Sequence, residues 1–225
     1  MDNLEQLISM NMLLVTLRMA IPLILASIGS VICERSGIIN LGIEGMMLAG
    51  ALGAVIGTSI FQSPWMGTLA AILMGGVFDL IHAVLCIRSH TNQAVRGVGI
   101  NIFASGLTIV LCKAIWDKEG LSGEVAQIPT VTVPLLHKIP VIGPLFEEQS
   151  PYLYITILIV AISWYVMYRT KVGLRLRTIG DHPKAASTAG VDVTKYRYVA
   201  VIVCGMLCGL SGSFLSIVQN NLFVK

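Results

Sequence analysis

Charged and amide side chains interrupt stretches that are otherwise apolar, and these are the groups that could do chemistry. The segment CERSGIINLGIEGM, residues 33–46, contains Glu34, Arg35, Asn40 and Glu44 among three glycines. Charges at membrane depth are costly and usually face a cavity or a partner. Irregular backbone survives there only where it is buried in protein or lines a water-filled path. Two interpretations stay open: a discontinuous segment beside a translocation path, or an ordinary cytoplasmic turn with Glu34 and Arg35 in water.

Further polar groups enter the third and fourth apolar runs. Asp79 and His82 stand three residues apart, and therefore on one helix face. They could pair with each other or with Arg18, or form a proton relay. A buried amide can hydrogen-bond sugar hydroxyls or base edges, or it can simply join two helices. We predict that four residues approach a translocation path: Asn40, Glu44, Asn92 and Asn101.

The composition defines the environment of these groups. Of 225 residues, 55% are hydrophobic and 12% are charged, and the mean hydropathy is +0.81. Soluble domains carry roughly 25% charged residues, so the chain is predicted to be an integral membrane protein. The net charge of +3 is too small to imply nucleic-acid binding. The five cysteines lack metal-site spacing, and no nucleotide-binding or hydrolase motif occurs, so no enzymatic activity and no metal site are predicted.

Six apolar runs are long enough to cross a bilayer, which takes about 20 residues. They predict an all-α, polytopic membrane protein with about six transmembrane helices. Gly205 and Gly209 in the last run form a GxxxG pattern, which is typical of close helix packing. The predicted spans are Met10–Cys33, Glu44–Phe61, Trp65–Ile87, Gly99–Trp116, Tyr152–Tyr168 and Tyr196–Val218.

The charges of the connecting loops predict which side of the membrane each one faces. From Arg169 to Arg197 there are seven Lys or Arg against two acids, so residues 170–195 are predicted to be cytoplasmic. Residues 117–150 carry five acids against two lysines and are predicted to be extracytoplasmic. Four prolines make that loop irregular. Counting spans back places the N-terminus outside, unless the first helix is interfacial or the 34–45 segment is re-entrant.

The stretch from Gly173 to Val191 is basic and water-compatible, although it lies between two apolar runs. Asp181 is predicted to cap a short helix with Pro183 in its first turn, and Gly190 to end it. A small-residue face on this helix could enter a groove on a partner. Alternatively, the segment is an amphipathic turn held by lipid headgroups. The predicted face consists of Ala185, Ala186 and Ala189.

Three separated motifs resemble the permease subunits of bacterial ATP-binding cassette (ABC) importers, in particular the simple-sugar and nucleoside permeases that work with a lipoprotein-type binding protein. They lie in collinear order between about Met10 and Ser216: ERSGIINLGIEGMMLAGA, TNQAVRGVGIN and VGLRLRTIGDHPKAASTAGVDVTKYRYVAVIVCGMLCGLSG. In that family, a cytoplasmic loop with the pattern G-x-x-P-x-A-A-x-x-x-G is the coupling helix that contacts the ATPase. The resemblance places the coupling residues at Gly180, Asp181, Pro183, Ala185, Ala186 and Gly190.

The resemblance implies one permease domain over residues 1–225 in a bacterial cytoplasmic membrane, moving a nucleoside or a simple sugar. The implied partners are an ATPase subunit that binds ATP and Mg, a second permease subunit, an extracytoplasmic binding lipoprotein and membrane lipid, with no cofactor in this chain. The family usually continues past Ser216, so we expect a C-terminally truncated or unusually short member. Two other classes stay open: an ion-coupled secondary transporter that uses Asp79, His82 and Glu44, and a non-transporting membrane protein.

Overall fold

Eight α-helices account for most of the chain in the computed structural model, which describes residues 10–88, 92–130 and 149–224. The last α-helix continues directly into a π-helix, Phe214–Gln219. The α-helices are α1 Met10–Glu34, α2 Ile43–Phe61, α3 Pro64–Arg88, α4 Gln93–Trp116, α5 Pro151–Arg169, α6 Lys171–Asp181, α7 Pro183–Thr188 and α8 Val193–Ser213.

Six of these helices are long and apolar enough to cross a membrane, namely α1 to α5 and α8 with its π-helical end. The prediction of an all-α polytopic protein is confirmed, and each predicted span lies inside one of the six helices. The largest difference is at α4, which begins at Gln93 rather than Gly99. Asn92 caps it there, because its Oδ1 accepts a hydrogen bond from the Ala94 amide at 2.9 Å.

At its glycines, α8 packs so closely against α2 and α3 that the helix backbones are in contact. A Cβ on Gly209 would collide with the Ala71 carbonyl oxygen and would lie 3.2 Å from the Gly75 Cα. A Cβ on Gly75 would in turn collide with the carbonyl oxygen of Gly205, and one on Gly50 with the backbone of Gly209. The close packing predicted from the GxxxG pattern is therefore confirmed, with glycines on the facing helices completing it.

Polar side chains connect the outer helices to this centre. The Tyr152 hydroxyl of α5 lies 2.8 Å from the Thr68 hydroxyl of α3 and 2.7 Å from the Ser213 hydroxyl of α8. Ser211 donates to the Pro22 carbonyl of α1 at 2.8 Å. Such bonds join helices whose surfaces are otherwise apolar.

The connections fall at two ends of the bundle. At one end, the segment after α1 lies against α6 and α8. At the other end, the segment after α4 holds the C-terminal residues, since Ser122 donates its amide to the Phe223 carbonyl and accepts the Phe223 amide on its hydroxyl. Residues 1–9 and 131–148 lie outside the described residues, so the predicted side of the N-terminus and most of the predicted extracytoplasmic loop stay predictions.

The glycine packing yields a first prediction. Gly209→Ala should destabilise the protein by about 1–3 kcal/mol, because the added methyl meets fixed backbone of α3. Gly106→Ala is the matched control, since a Cβ there has nothing within 4 Å. Thermal unfolding of the detergent-purified protein measures both, and equal melting temperatures would contradict this account of the packing.

Candidate functional site

The chain between α1 and α2 is not helical from Arg35 to Gly42, and we call these residues the bent segment. Gly37 turns the chain at φ +84°, a conformation that glycine adopts without strain. On either side of it, Ser36, Ile38 and Asn40 are buried, whereas Gly37 and Ile39 between them are exposed. The discontinuous backbone of one interpretation is therefore observed, together with the exposed Glu34 and Arg35 side chains of the other.

Asn40 connects the bent segment to α3. Its Nδ2 donates to both carboxylate oxygens of Asp79, at 3.1 and 3.3 Å, and its Oδ1 accepts the Gly42 amide at 2.9 Å. Both side chains are almost fully buried. The pairings of Asp79 with His82 or Arg18 considered from the sequence are wrong. The His82 ring lies against the Cys86 thiol at 3.3 Å, and Arg18 donates to Gln149 instead.

Asn101 connects the bent segment to α4. Its Nδ2 donates to the Leu41 carbonyl at 3.0 Å and its Oδ1 accepts the Gly45 amide at 2.8 Å. Gln93, at the start of the same helix, accepts the Ile39 amide at 2.9 Å. Of the two roles considered for Asn101, the amide performs the helix-joining one, and it also satisfies a free amide in the first turn of α2.

A cavity of about 850 Å³ opens between α1, α2, α4, the π-helix and the C-terminal residues 220–224. Its walls are largely apolar, as in most small-molecule sites, which measure about 300–1,000 Å³. The polar groups in its wall include three residues of the predicted path and four serines: Asn40, Glu44, Asn101, Ser27, Ser30, Ser105 and Ser216.

Glu44 is the single carboxylate among the residues that line this cavity in the described part of the chain. It lies in the first turn of α2 and is exposed, whereas the Asn40 and Asn101 amides are bonded to protein. A carboxylate so placed has free lone pairs that can accept hydrogen bonds from hydroxyl or amine groups. Asn92 is not part of the lining, because its side chain caps α4 at the exposed start of that helix.

Sequence reasoning did not single out the serines of the cavity. Ser27 and Ser30 are three residues apart, and Ser105 follows Asn101 by four, so each pair lies on one helix face. That helical spacing of small polar residues within apolar runs was the available signal. Gln219, at the end of the π-helix, also lines the cavity, but no pattern in the sequence indicated it.

Helices α6 and α7 form the predicted coupling loop. Asp181 is the last residue of α6, so its predicted role as a helix cap is wrong; His182 stands at the start of α7 and Pro183 is its first residue. The end of α7 is as predicted. Gly190 has φ +80°, its amide donates to Ser187, and the Val191 amide donates to Ala186, a pair of bonds that closes the helix.

The three alanines predicted to form one face are divided by the structure. Ala185 and Ala189 are exposed, but Ala186 is buried, with 6% of its surface accessible, because it lies on the inward side of the helix. Gly180 also faces inward, against the bent segment, where a Cβ would lie 2.5 Å from the Arg35 carbonyl oxygen. The exposed surface of α7 and its C-terminal cap therefore includes Ala185, Ala189 and Gly190, beside the exposed Lys184, Ser187 and Thr188.

Comparison with known proteins identifies relatives of this chain. It is 39% identical to the guanosine ABC transporter permease protein NupQ of Bacillus subtilis, over 88% of this chain and 64% of NupQ. It is 36% identical to the nucleoside ABC transporter permease protein NupC of Lactococcus lactis, over 99% of this chain and 71% of NupC. The putative glucose ABC transporter permease protein TsgC13 of Haloferax volcanii is 36% identical, over 93% of this chain and 63% of TsgC13. No solved structure matches.

The chain spans about two thirds of the length of these relatives. The family described as branched-chain amino acid transport system / permease component matches residues 12–223, a range that includes nearly all of the six membrane-crossing helices. The resemblance found in the three motifs is thereby confirmed. This chain belongs to that permease family and is a multi-pass protein of the cytoplasmic membrane.

Proposed function

We propose that this chain is the membrane-spanning permease subunit of an ABC importer that moves a nucleoside. The observation that carries the proposal is the 850 Å³ cavity beside the bent segment, in a chain whose relatives include guanosine and nucleoside permeases. Its largely apolar lining, with serine hydroxyls and one carboxylate set in it, suits a neutral solute that carries hydrogen-bond donors.

In this proposal, ATP is bound and hydrolysed by a separate ATPase subunit. That subunit contacts the loop of residues 170–195, which faces the cytoplasm. A second permease subunit completes the pathway, and a binding lipoprotein delivers the solute at the opposite end, on the side of the predicted extracytoplasmic loop 117–150. Closure of the ATPases moves α6 and α7 and shifts the cavity between outward and inward access.

The exposed part of α7 supports this arrangement. Ala185 on α7, and Ala189 and Gly190 just after it, form a patch with little side-chain bulk next to the exposed Lys184, and nothing lies within 4 Å of a Cβ at Gly190. A helix with such a surface fits into a groove of a partner. Ala186 anchors α7 to its own chain from the other side, so it stabilises the docking element without contacting the ATPase.

Reconstitution tests the proposed function directly. The chain is assembled with candidate ATPase, permease and binding-protein subunits from the same organism, and uptake of radiolabelled guanosine and glucose into proteoliposomes is measured. We expect guanosine uptake that requires ATP and persists when ion gradients are collapsed. Uptake that needs an ion gradient, or that occurs for glucose alone, would contradict the proposal.

A second prediction concerns docking. Ala185→Arg should reduce co-purification of the ATPase and abolish ATP-driven uptake, because a long charged side chain cannot enter a groove shaped for alanine. Gln62→Arg adds the same side chain to an exposed turn at the other end of the bundle and should leave both unchanged. Affinity purification of the complex gives the measurement, and full retention of the ATPase by Ala185→Arg would disprove this docking surface.

A third prediction concerns the cavity. Glu44→Gln keeps the shape of the side chain but removes its charge. Hydrogen bonds to charged groups contribute about 1.5–3 kcal/mol, so the KM for guanosine uptake should rise about tenfold or more. Asn92→Asp is the control, because it keeps the acceptor that caps α4 and lies outside the cavity. An unchanged KM in Glu44→Gln would exclude a direct contact with solute.

A further inference from the structure

The end of α6 and the bent segment touch without side chains between them. A Cβ on Gly180 would lie 2.5 Å from the Arg35 carbonyl oxygen, and a Cβ on Gly37 would lie 3.4 Å from the Gly180 Cα. Two backbones at this separation leave no space for independent movement toward each other, since protein interiors are close-packed and compress little. A displacement of α6 toward the bundle therefore has to displace residues 35–37.

Arg197 of α8 binds the backbone of the bent segment at the same place, beside Gly37. Arg197 Nε donates to the Ser36 carbonyl at 3.2 Å, and its Nη2 would lie 3.3 Å from a Cβ on Gly37. Ser36 itself is fully buried, and its hydroxyl donates to the Cys33 carbonyl at the end of α1. The first half of the bent segment is thus fixed between α1, α6 and α8.

The second half of the bent segment leads to the cavity. Asn40 is bonded to Asp79 of α3 and to the Gly42 amide, and Asn101 of α4 is bonded to the Leu41 carbonyl. Glu44 follows immediately in the first turn of α2. Residues 35–37 are still bonded through their amides to the last turn of α1, so a shift that enters there reaches the cavity wall through residues 38–42, whose amides make no helix-type backbone bond.

We propose that the bent segment is the mechanical relay between the coupling loop and the cavity, and that Asn40 and Asp79 are its positioning residues. The inference rests on the proposed function, because it assigns the route by which ATPase movement reaches the solute. The alternative is that movement passes along the chain itself, from α7 directly into α8, and that the bent segment is displaced only as a consequence.

The chemistry of the Asn40–Asp79 pair offers a test by exchange. Asn40→Asp removes the amide that donates to both oxygens of Asp79 and sets two acidic side chains against each other, so the two-pronged bond that fixes the relay is lost. Adding Asp79→Asn restores an amide donor opposite a carboxylate acceptor. If transport depends on this bond, the double variant Asn40→Asp/Asp79→Asn recovers it. If transport depends on Asn40 or Asp79 individually, the double variant does not.

The experiment uses the assembled importer in proteoliposomes and measures guanosine uptake and ATP hydrolysis in the same vesicles. We expect Asn40→Asp to retain the ATPase and to hydrolyse ATP, with uptake per ATP lowered about tenfold. The exchanged pair should recover most of the loss. Gly180→Ala, which inserts a methyl group at the other end of the relay, should lower the same ratio, whereas Gly99→Ala, with open space around its Cβ, should not.

Each outcome decides between the two proposals. If the unmodified importer is active and the ratio of uptake to ATP hydrolysis is unchanged in Asn40→Asp and Gly180→Ala, the relay is refuted and the proposed function is unaffected. Absence of ATP-driven uptake in the unmodified importer overturns both. If Asn40→Asp fails to accumulate in the membrane, Gly180→Ala alone decides, since a normal uptake-to-hydrolysis ratio in that variant refutes the relay.

Discussion

Backbone amides and carbonyls that lie outside a helix, in a protein surrounded by lipid, have to find their partners within the protein. Residues 35–42 impose this demand on the structure, and four helices meet it. Asp79 holds Asn40 from α3, Gln93 and Asn101 bind the backbone from α4, Arg197 binds it from α8, and Cys33 closes the end of α1. The arrangement of these helices at this end of the bundle depends on that set of bonds.

The rest of the bundle supplies a firm support for this segment. Because α2, α3 and α8 meet through glycines, their backbones lie too close for side chains to rearrange between them. Movements within such a centre require displacement of whole helices, whereas the bent segment can change its torsion angles locally. The part of the chain that can change shape locally is therefore the bent segment, next to the cavity. The rigid part is formed by the glycine contacts, which lie further along the same helices.

Local signals allowed part of this structure to be predicted. The length of an apolar run can be read directly from the sequence, so the six spans could be predicted. The spacing of Gly205 and Gly209 likewise predicted the face of α8 that packs closely against other helices. The partner of Asn40 could not be predicted, because Asp79 lies 39 positions away and the pair forms only when α3 packs beside the bent segment. The inward side of Ala186 was equally hidden, since a helix of six residues has no pattern long enough to define its buried face. Asn92 was a missed local signal, because asparagine before a helix is a common cap.

Helix α7 is far shorter than the about 12–15 residues below which an isolated helix is marginal in water. It keeps its shape because Pro183 fixes the first turn, Gly190 closes the last one and Ala186 is held by its own chain. A partner that binds α7 therefore meets an element that is already ordered. The loss of conformational entropy that accompanies the folding of a flexible loop on binding is largely avoided, so less of the interaction energy of any contact on α7 is spent on ordering it.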